Sequence, residues 1–180
     1  MSSKKYTKDI ILKASYELSK DIGLDALSMR KIANKVGCSV MPLYEAFSSR
    51  EELINGLSTF NEKLYDLSSH TMYDRYFRLL REGLRYPTFF LSVVKYDIKR
   101  VHEEETICNL CNLMKKDDRL KNLNDRQVYA INTRIEIYVI GLVYSYSFFE
   151  DAAERYPALK NILIQVIDGI IMGALKNINN

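Results

Sequence analysis

Apolar residues recur at helical spacing near the start of the chain, in short patterns separated by breaks. In the first pattern Ile11, Ala14 and Leu18 lie at i, i+3 and i+7, with lysines on the other faces, and Gly23 follows. Apolar side chains at this spacing form one stripe of an amphipathic helix, and a glycine after the stripe is typical of a helix C-terminus. The pattern therefore predicts a helix that ends at Gly23.

A second helix is predicted a few residues later. Met29, Ile32, Ala33 and Val36 repeat at i, i+3, i+4 and i+7, which again places one apolar stripe on a helix. Ser28 comes directly before them, and a serine hydroxyl can accept a hydrogen bond from a free N–H of the first turn. We therefore expect Ser28 to be the N-cap of this helix.

Only Gly37-Cys38-Ser39 separates the second helix from a third. Gly37 supplies the backbone freedom that a tight turn needs, and Ser39 is the predicted N-cap. Pro42 fits the first turn of a helix, where its missing N–H costs little. This turn between two short helices is typical of a helix-turn-helix, which places its second helix in the major groove of DNA. The pattern therefore predicts a DNA-binding protein.

The third helix is expected to have one inward and one outward face, and a fourth helix follows it. Leu43, Ala46 and Phe47 form the apolar, inward side. A capping box, either Ser48-x-x-Glu51 or Ser49-x-x-Glu52, then opens the fourth helix. The side chains left to face outward on the third helix are Val40, Met41, Tyr44 and Glu45.

Residues 10–57 resemble the N-terminal domain of TetR-family transcriptional regulators. In that family the second helix reads roughly S/T-x-x-x-I-A, matched by Ser28 to Ala33, and the turn reads G-V-S, here Gly37-Cys38-Ser39. The recognition helix ends L-Y-x-x-F before a S-K-E-x-L cap, matched by Leu43 to Phe47 and by Ser49 to Leu53. The resemblance covers a little over a quarter of the chain. Elsewhere only the length and the helical character are typical of the family.

The resemblance implies a homodimer that binds a palindromic operator in double-stranded DNA, usually as a repressor, and is released by a small molecule. It also implies that Tyr44 contacts a backbone phosphate and that Arg50 takes the place of a phosphate-binding lysine. Ser28 could touch a phosphate with its capping hydroxyl, because helix N-termini attract anions. The exposed start of the third helix is expected to contact the bases. The predicted DNA-contacting residues are Ser28, Arg30, Lys31, Ser39, Val40, Met41, Pro42, Tyr44 and Arg50.

The recognition surface departs from the commonest family pattern. Many relatives carry a polar or basic residue around position 40 and a histidine near position 45, whereas this chain has Val40, Met41 and Glu45. Apolar side chains can read thymine methyl groups. Glu45 could accept from cytosine N4, or it could be repelled by phosphate.

Composition adds a weak electrostatic signal. The chain has 180 residues and a net charge of +3, and its first 55 residues hold 9 Lys and Arg against 7 Asp and Glu. DNA contacts must therefore be local rather than broadly basic.

The polar N-terminus predicts no signal peptide. The longest uncharged apolar stretch, Ile137 to Phe149, is shorter than the roughly 18–20 residues that span a bilayer. We expect a cytoplasmic protein with no membrane partner and with reduced cysteines.

The pattern stays helical to the end, so an all-α protein is predicted. Residues 1–50 are expected to form a three-helix, helix-turn-helix DNA-binding domain, and residues 51–180 a larger helical domain for effector binding and dimerisation. The polar stretch from Lys115 to Asn124 is the best candidate for a mobile loop.

The last two helical patterns differ from the others. From Ile135 to Phe149 and from Ile162 to Ala174 they are apolar almost all round, and such helices are buried on more than one side. In a small chain this indicates packing against a second subunit as well as the chain's own core, and in the TetR family the last two helices usually form that interface. The predicted interface residues are Gly141, Phe148, Val166, Gly169, Ile170 and Gly173.

Tyrosine is abundant, with 13 residues and no tryptophan. A tyrosine combines apolar area with a polar tip, which suits a cavity for a small, largely apolar effector. The same residues could equally fill the core and an interface. The residues proposed to line the effector pocket are Tyr86, Tyr96, Arg134, Tyr138 and Tyr144.

No pattern of residues indicates catalysis, a metal or a cofactor. Cys108-x-x-Cys111 lacks the further Cys or His ligands that a structural zinc needs, so these thiols are interpreted as structural. No Ser/His/Asp order, paired carboxylates or phosphate-binding glycine loop is found. A non-enzymatic regulator is expected. Two alternatives stay open: an effector-independent architectural or division-control protein on the same fold, and a helical ligand-binding protein with a vestigial DNA-binding head.

Overall fold

The computed structural model describes residues 6–64, 70–97 and 104–178, and within these ranges the chain forms helices and no strands. The all-α prediction, with a helix-turn-helix near the N-terminus and a larger helical region after it, is confirmed. The helices are α1 (Lys8–Ile22), α2 (Met29–Val36), α3 (Met41–Ala46), α4 (Arg50–Leu64), α5 (Met72–Arg85), α6 (Pro87–Asp97), α7 (Glu104–Met114), α8 (Asp125–Tyr146) and α9 (Tyr156–Ile178).

The described helices belong to two compact units. The first unit holds α1 to α4 together with Thr88–Tyr96 of α6, and the second holds α5, α7, α8 and α9. This division differs from the predicted boundary at residue 50, because α4 lies with the helix-turn-helix and a segment of α6 joins it. The assignment of functions to residues 1–50 and 51–180 stays a prediction.

The buried stripe of α1 is not the predicted one. Ile11 is buried as expected, but its companions are Ser15 and Ser19, whereas Ala14 and Leu18 are only half-buried. The Ser15 hydroxyl donates to the Ile11 carbonyl at 2.7 Å, and the Ser19 hydroxyl donates to a carbonyl of the same helix. Serine can therefore be buried here because its donor is satisfied inside the helix.

The core of the second unit forms where α5 packs on α8 and α9, and where α7 packs on α8. Tyr76 of α5 is fully buried, and its hydroxyl donates to Asn132 Oδ1 at 2.7 Å. Leu80 and Ile135 are also fully buried. The side of α5 that carries Tyr76 and Leu80 therefore faces the core.

The segment predicted as a mobile loop, Lys115 to Asn124, is anchored at two points. Leu120 is fully buried. Arg119 donates to Asp168 Oδ1 at 2.7 Å and to the Tyr73 hydroxyl at 2.9 Å, and it also pairs with Asp117. These contacts bind the segment to α5 and α9.

Helix α9 corrects one expectation from the sequence. Among the described helices, Tyr156–Ile178 is long and apolar enough to cross a membrane by length and composition, a test that core helices of soluble proteins also pass. The prediction from the sequence uses the longest uncharged stretch, Ile137 to Phe149, as the limit for a membrane span. It overlooks helix α9 because isolated charges interrupt the apolar residues of that helix. Leu159, Leu163 and Ile167 form a stripe buried in the second unit.

Candidate nucleic-acid interface

The predicted turn between α2 and α3 is present in the structure. Gly37 has a φ of 76°, in the left-handed region, and its N–H donates to the Ala33 carbonyl at 2.9 Å. The N–H of Cys38 donates to the same carbonyl at 3.0 Å. Glycine reaches this conformation without a side-chain penalty, so it ends α2 and redirects the chain into α3.

Ser28 caps α2 as predicted, since its hydroxyl accepts from the Lys31 N–H at 3.3 Å. The prediction that Ser39 caps α3 is wrong. Val40 occupies the cap position without a side-chain hydrogen bond, and its carbonyl accepts from the N–H of Tyr44 at 3.2 Å. Pro42 lies in the first turn, as predicted.

Helix α3 presents a mixed apolar and polar outer face. Leu43 is fully buried and Phe47 nearly so, which anchors the helix to the first unit. Met41 is 67% exposed and Tyr44 is 52% exposed. Ser39 and Glu45 are also exposed, and Val40 and Pro42 are half-buried. The side chains expected to face outward are therefore available to a partner.

The cations near this face differ in their surroundings. Arg30 is exposed on α2. Lys31 is also exposed, and its Nζ donates to the Ala26 carbonyl at 2.9 Å. Arg50 is half-buried: its Nε donates to the Leu27 carbonyl at 2.8 Å, and its Nη2 donates to the Leu24 carbonyl at 2.8 Å. Arg50 therefore holds the connection between α1 and α2 against the start of α4.

Half of the second predicted box caps the start of α4, because the Glu52 carboxylate bonds to Ser48 instead of to the Ser49 N–H. The Ser49 hydroxyl accepts from the Glu52 N–H at 3.1 Å. The Glu52 carboxylate accepts from both the N–H and the hydroxyl of Ser48 at 2.6 Å. These bonds from Ser48 lower the pKa of Glu52. The cap fixes the residues that follow the recognition helix.

A segment of α6 braces the connection between α1 and α2, which sequence reasoning missed. The Ser92 hydroxyl accepts from the Leu24 N–H at 2.9 Å. Lys95 Nζ lies 2.7 Å from Asp25 Oδ2, and its hydrogen bond lowers the pKa of Asp25. A Cβ at Gly23 would lie 3.1 Å from Thr88 Cγ2. The residues that position the reading helices therefore come from two distant parts of the chain.

The residues predicted to line an effector pocket are dispersed. Tyr96 belongs to the first unit and the other four to the second. Arg134 and Tyr144 are exposed on α8, while Tyr86 and Tyr138 are half-buried. The assignment of these five residues to one pocket stays a prediction.

A buried polar cluster in the second unit was not predicted. Arg75 Nη2 donates to Glu136 Oε1 at 2.7 Å, while Arg75 Nη1 is buried and has no hydrogen-bond partner in the described part of the chain. Next to it on α5, Tyr76 bonds to Asn132, and burial raises the pKa of the Tyr76 phenol. Arg75 was indistinguishable in the sequence from the other arginines of α5.

The residues predicted for a dimer interface lie on the outer sides of α8 and α9 and, for Phe148, in the turn after α8. Phe148 is 73% exposed. Gly141, Gly169 and Gly173 are exposed, and a Cβ at any of them would meet nothing within 4 Å. Val166 and Ile170 are half-buried. Further large apolar side chains exposed on these helices are Ile137, Tyr144, Ile162 and Met172.

The two neighbouring thiols differ in environment. Cys108 is exposed, while Cys111 is buried and donates to the Asp125 carbonyl at 3.6 Å. Burial raises the pKa of Cys111, which keeps it as a thiol at neutral pH. Within the described ranges, no group of three or more His, Cys, Asp or Glu side chains is placed to hold a metal ion.

Comparison with known proteins assigns the class. Residues 11–57 match the family model described as bacterial regulatory proteins, tetR family. A search of curated proteins finds no match. A crystal structure of a TetR variant from Acinetobacter baumannii AYE, in complex with minocycline, has the same fold, with a TM-score of 0.63 and 16% sequence identity over 94% of this chain and 96% of that one.

The chain is similar to TetR-family regulators in its N-terminal domain and in its fold. Its helix-turn-helix is the DNA-binding domain of the TetR family, and its described helices follow the TetR fold. The resemblance read from the sequence is confirmed. Regulators of this family are typically DNA-binding proteins rather than enzymes.

Proposed function

We propose that the protein is a cytoplasmic, homodimeric transcriptional repressor that binds a palindromic operator and is released by a small, largely apolar ligand. The observation that carries the proposal is the helix-turn-helix, in which α3 is anchored by Leu43 and presents Met41 and Tyr44 outward. The proposed partners are double-stranded DNA, a second copy of the chain and the effector. No cofactor is needed for this function.

The proposed DNA contacts divide into phosphate binding and base reading. Tyr44, Arg30 and Lys31 would bind phosphates, since all three residues are exposed on α2 and α3. Val40 and Met41 would contact base edges, where apolar side chains favour thymine methyl groups. The margins of the contact surface would be formed by Ser28, Ser39, Pro42 and Arg50.

Dimerisation is supported by the unpartnered sides of α8 and α9. Exposed glycines allow close approach of another helix, and the exposed aliphatic and aromatic side chains around them would lose water on pairing. Two antiparallel helices from each copy would form a four-helix bundle. In the simplest geometry this pairing separates two recognition helices by about 34–36 Å, one turn of DNA.

Effector release is supported by two features of the described residues. The buried Arg75 Nη1 lacks an acceptor, and a ligand carbonyl or hydroxyl oxygen could supply one. Ser92 and Lys95 of α6 bond to the connection that precedes the reading helices. A ligand that favours a different position of α6 would therefore change the orientation of α2 and α3. The A. baumannii protein, which has the same fold, was crystallised with minocycline.

Selection of bound sequences from a random duplex pool tests the proposal. The purified wild-type protein should enrich a palindrome at near-physiological salt. Tyr44→Ala should weaken binding to the selected operator by about tenfold, the loss expected for one strong contact. Glu51→Ala, an exposed change on the neighbouring helix, should bind as the wild type does. A folded dimer that enriches no sequence would contradict operator binding.

A further inference from the structure

We propose that an open groove on the second unit binds a small phosphorylated molecule, at a site separate from the apolar effector site proposed above. The groove has a volume of about 470 Å³. Its walls come from α5 and from the first turns of α9. The lining side chains are Asp74, Phe77, Arg78 and Arg81 of α5 and Tyr156 and Lys160 of α9.

The spacing of these residues explains why they share one groove. Asp74, Phe77, Arg78 and Arg81 follow one another at i, i+3, i+4 and i+7, so they lie on one face of α5. Tyr156 and Lys160 are one turn apart on α9. The two walls therefore meet as continuous helical faces, which hold the side chains in fixed register.

The groove carries an excess of positive charge. Arg78, Arg81 and Lys160 face a single carboxylate, Asp74. Asp74 is already engaged, because its Oδ2 accepts from the Thr71 N–H at 3.0 Å and from the Thr71 hydroxyl at 2.9 Å in the capping box of α5. Among the described residues, no carboxylate forms an ion pair with Arg78 or Lys160, and Arg81 has only a long contact of 3.5 Å to a neighbouring glutamate.

An aromatic ring, rather than an acid, holds Lys160 across the groove. Its Nζ lies 4.6 Å from the centre of the Phe77 ring. A cation–π contact positions an ammonium group without neutralising it, so its N–H donors stay available to an anion. Burial raises the pKa of Tyr156, which keeps the phenol protonated as a further donor at neutral pH.

The donors define the class of ligand. Guanidinium groups bind phosphate oxygens in pairs, and an ammonium group adds a point charge. The groove is much larger than one phosphate group, and the Phe77 and Tyr156 rings offer apolar area beside the cations. A phosphomonoester of an organic molecule fits this combination. His70 also lines the groove.

Calorimetric titration with phenyl phosphate tests the site, with phenol as the uncharged probe. The full-length protein without DNA should bind phenyl phosphate once per chain at near-physiological salt and should not bind phenol. The double variant Arg78→Gln/Lys160→Gln should weaken binding by about tenfold or more, because two charge-assisted contacts are lost. Arg78→Lys should retain part of the affinity.

The matched control is Lys116→Gln/Arg126→Gln, which removes the same charge from exposed positions outside the groove. It should bind phenyl phosphate as the wild type does. An equal loss in this control, or no saturable binding by the wild type, would overturn the proposal. A second result would also overturn the proposal: phenyl phosphate does not bind, but random-sequence duplex DNA does, and Arg78→Gln/Lys160→Gln weakens that DNA binding. The groove would then contact DNA. These results do not depend on operator recognition, so the site and the regulatory function are tested separately.

Discussion

Arg50 shows how one side chain can have a structural role that its sequence context conceals. The family resemblance places it on a DNA phosphate. In the structure its Nε and Nη2 donate to carbonyls of Leu24, Asp25 and Leu27, in the connection between α1 and α2. Carbonyls that follow a helix end have no partner within the helix, so a guanidinium group that reaches them stabilises the fold.

Arg50→Ala should lower the free energy of unfolding by about 2 kcal/mol, the cost of losing hydrogen bonds from a charged donor. Arg50→Lys should recover only part of the loss, because an ammonium group cannot reach several carbonyls in the geometry of a guanidinium group. Urea unfolding of the DNA-free protein measures both. Glu51→Ala serves as the neighbouring control. A residue that acts only on phosphate would leave the unfolding of the DNA-free protein unchanged.

Residue periodicity predicted which positions are apolar, but not which polar groups are satisfied. It placed Leu43 and Phe47 inside and Tyr44 outside, as the structure does. It missed the buried Ser15, because serine is a poor core residue until its hydroxyl bonds within its own helix. The contacts of Arg50 were equally hidden, since their acceptors are backbone atoms more than 20 residues away.

Among the elements, the segment from Lys115 to Asn124 depends on Arg119. This side chain bonds to Asp117, Asp168 and the Tyr73 hydroxyl. The hydrogen bonds from Tyr73 and Arg119 hold the pKa of Asp168 below its ordinary value of 3.8, and those from Arg119 do the same for Asp117. The ionised carboxylates are thus favoured in the folded state.

Arg119→Ala should lower the free energy of unfolding at pH 7 by about 2 kcal/mol. The loss should shrink with acid. A lowered folded-state pKa stabilises the protein above the ordinary carboxyl value, and this contribution disappears as the pH falls through the lowered pKa. Urea unfolding at pH 7 and below pH 3.8 measures the change. Lys121→Ala, which removes an exposed ion pair, should cost less than about 0.5 kcal/mol at either pH. If Arg119→Ala lowered the free energy of unfolding equally at both pH values, the stabilisation by Arg119 would not come from its bonds to the two carboxylates.

The outer sides of α8 and α9 allow a second test at the scale of elements. Ile137 is 64% exposed in the single chain and would be covered in the dimer. Ile137→Glu should therefore convert a dimer into monomers, because it would bury an unpaired charge in the interface. Sedimentation velocity measures the change. Ile10→Glu, an exposed isoleucine of α1, should leave the mass unchanged. A wild-type monomer at every concentration would contradict the proposed interface.

Helix boundaries were more predictable than the grouping of helices. Gly23 and Gly37 end α1 and α2, because the positive φ of each glycine determines where the helix stops. The inclusion of Thr88–Tyr96 in the first unit depends on contacts such as Ser92 with Leu24, which join residues 68 positions apart. No local pattern carries that information.

For the whole molecule, the small net charge of +3 predicts that few cations contact DNA, and the salt dependence of operator binding measures how many do. If Arg30 and Lys31 each neutralise one phosphate in both subunits, the slope of log K against log salt is about −4. Arg30→Gln should make it shallower by about 2. Operator affinity across a salt series measures this, with Lys13→Gln as an exposed control on α1. An unchanged slope in Arg30→Gln would exclude a phosphate contact.

The proposed pairing surface lies wholly in the second unit, while the reading helices α2 and α3 belong to the first. This separation has a genetic consequence. A copy of the gene that encodes Tyr44→Ala would still supply chains able to join intact ones. Mixed pairs would hold one working recognition helix and would lose most of the affinity for a two-part operator. Such an allele would be dominant over the wild type, whereas an allele encoding Ile137→Glu would be recessive.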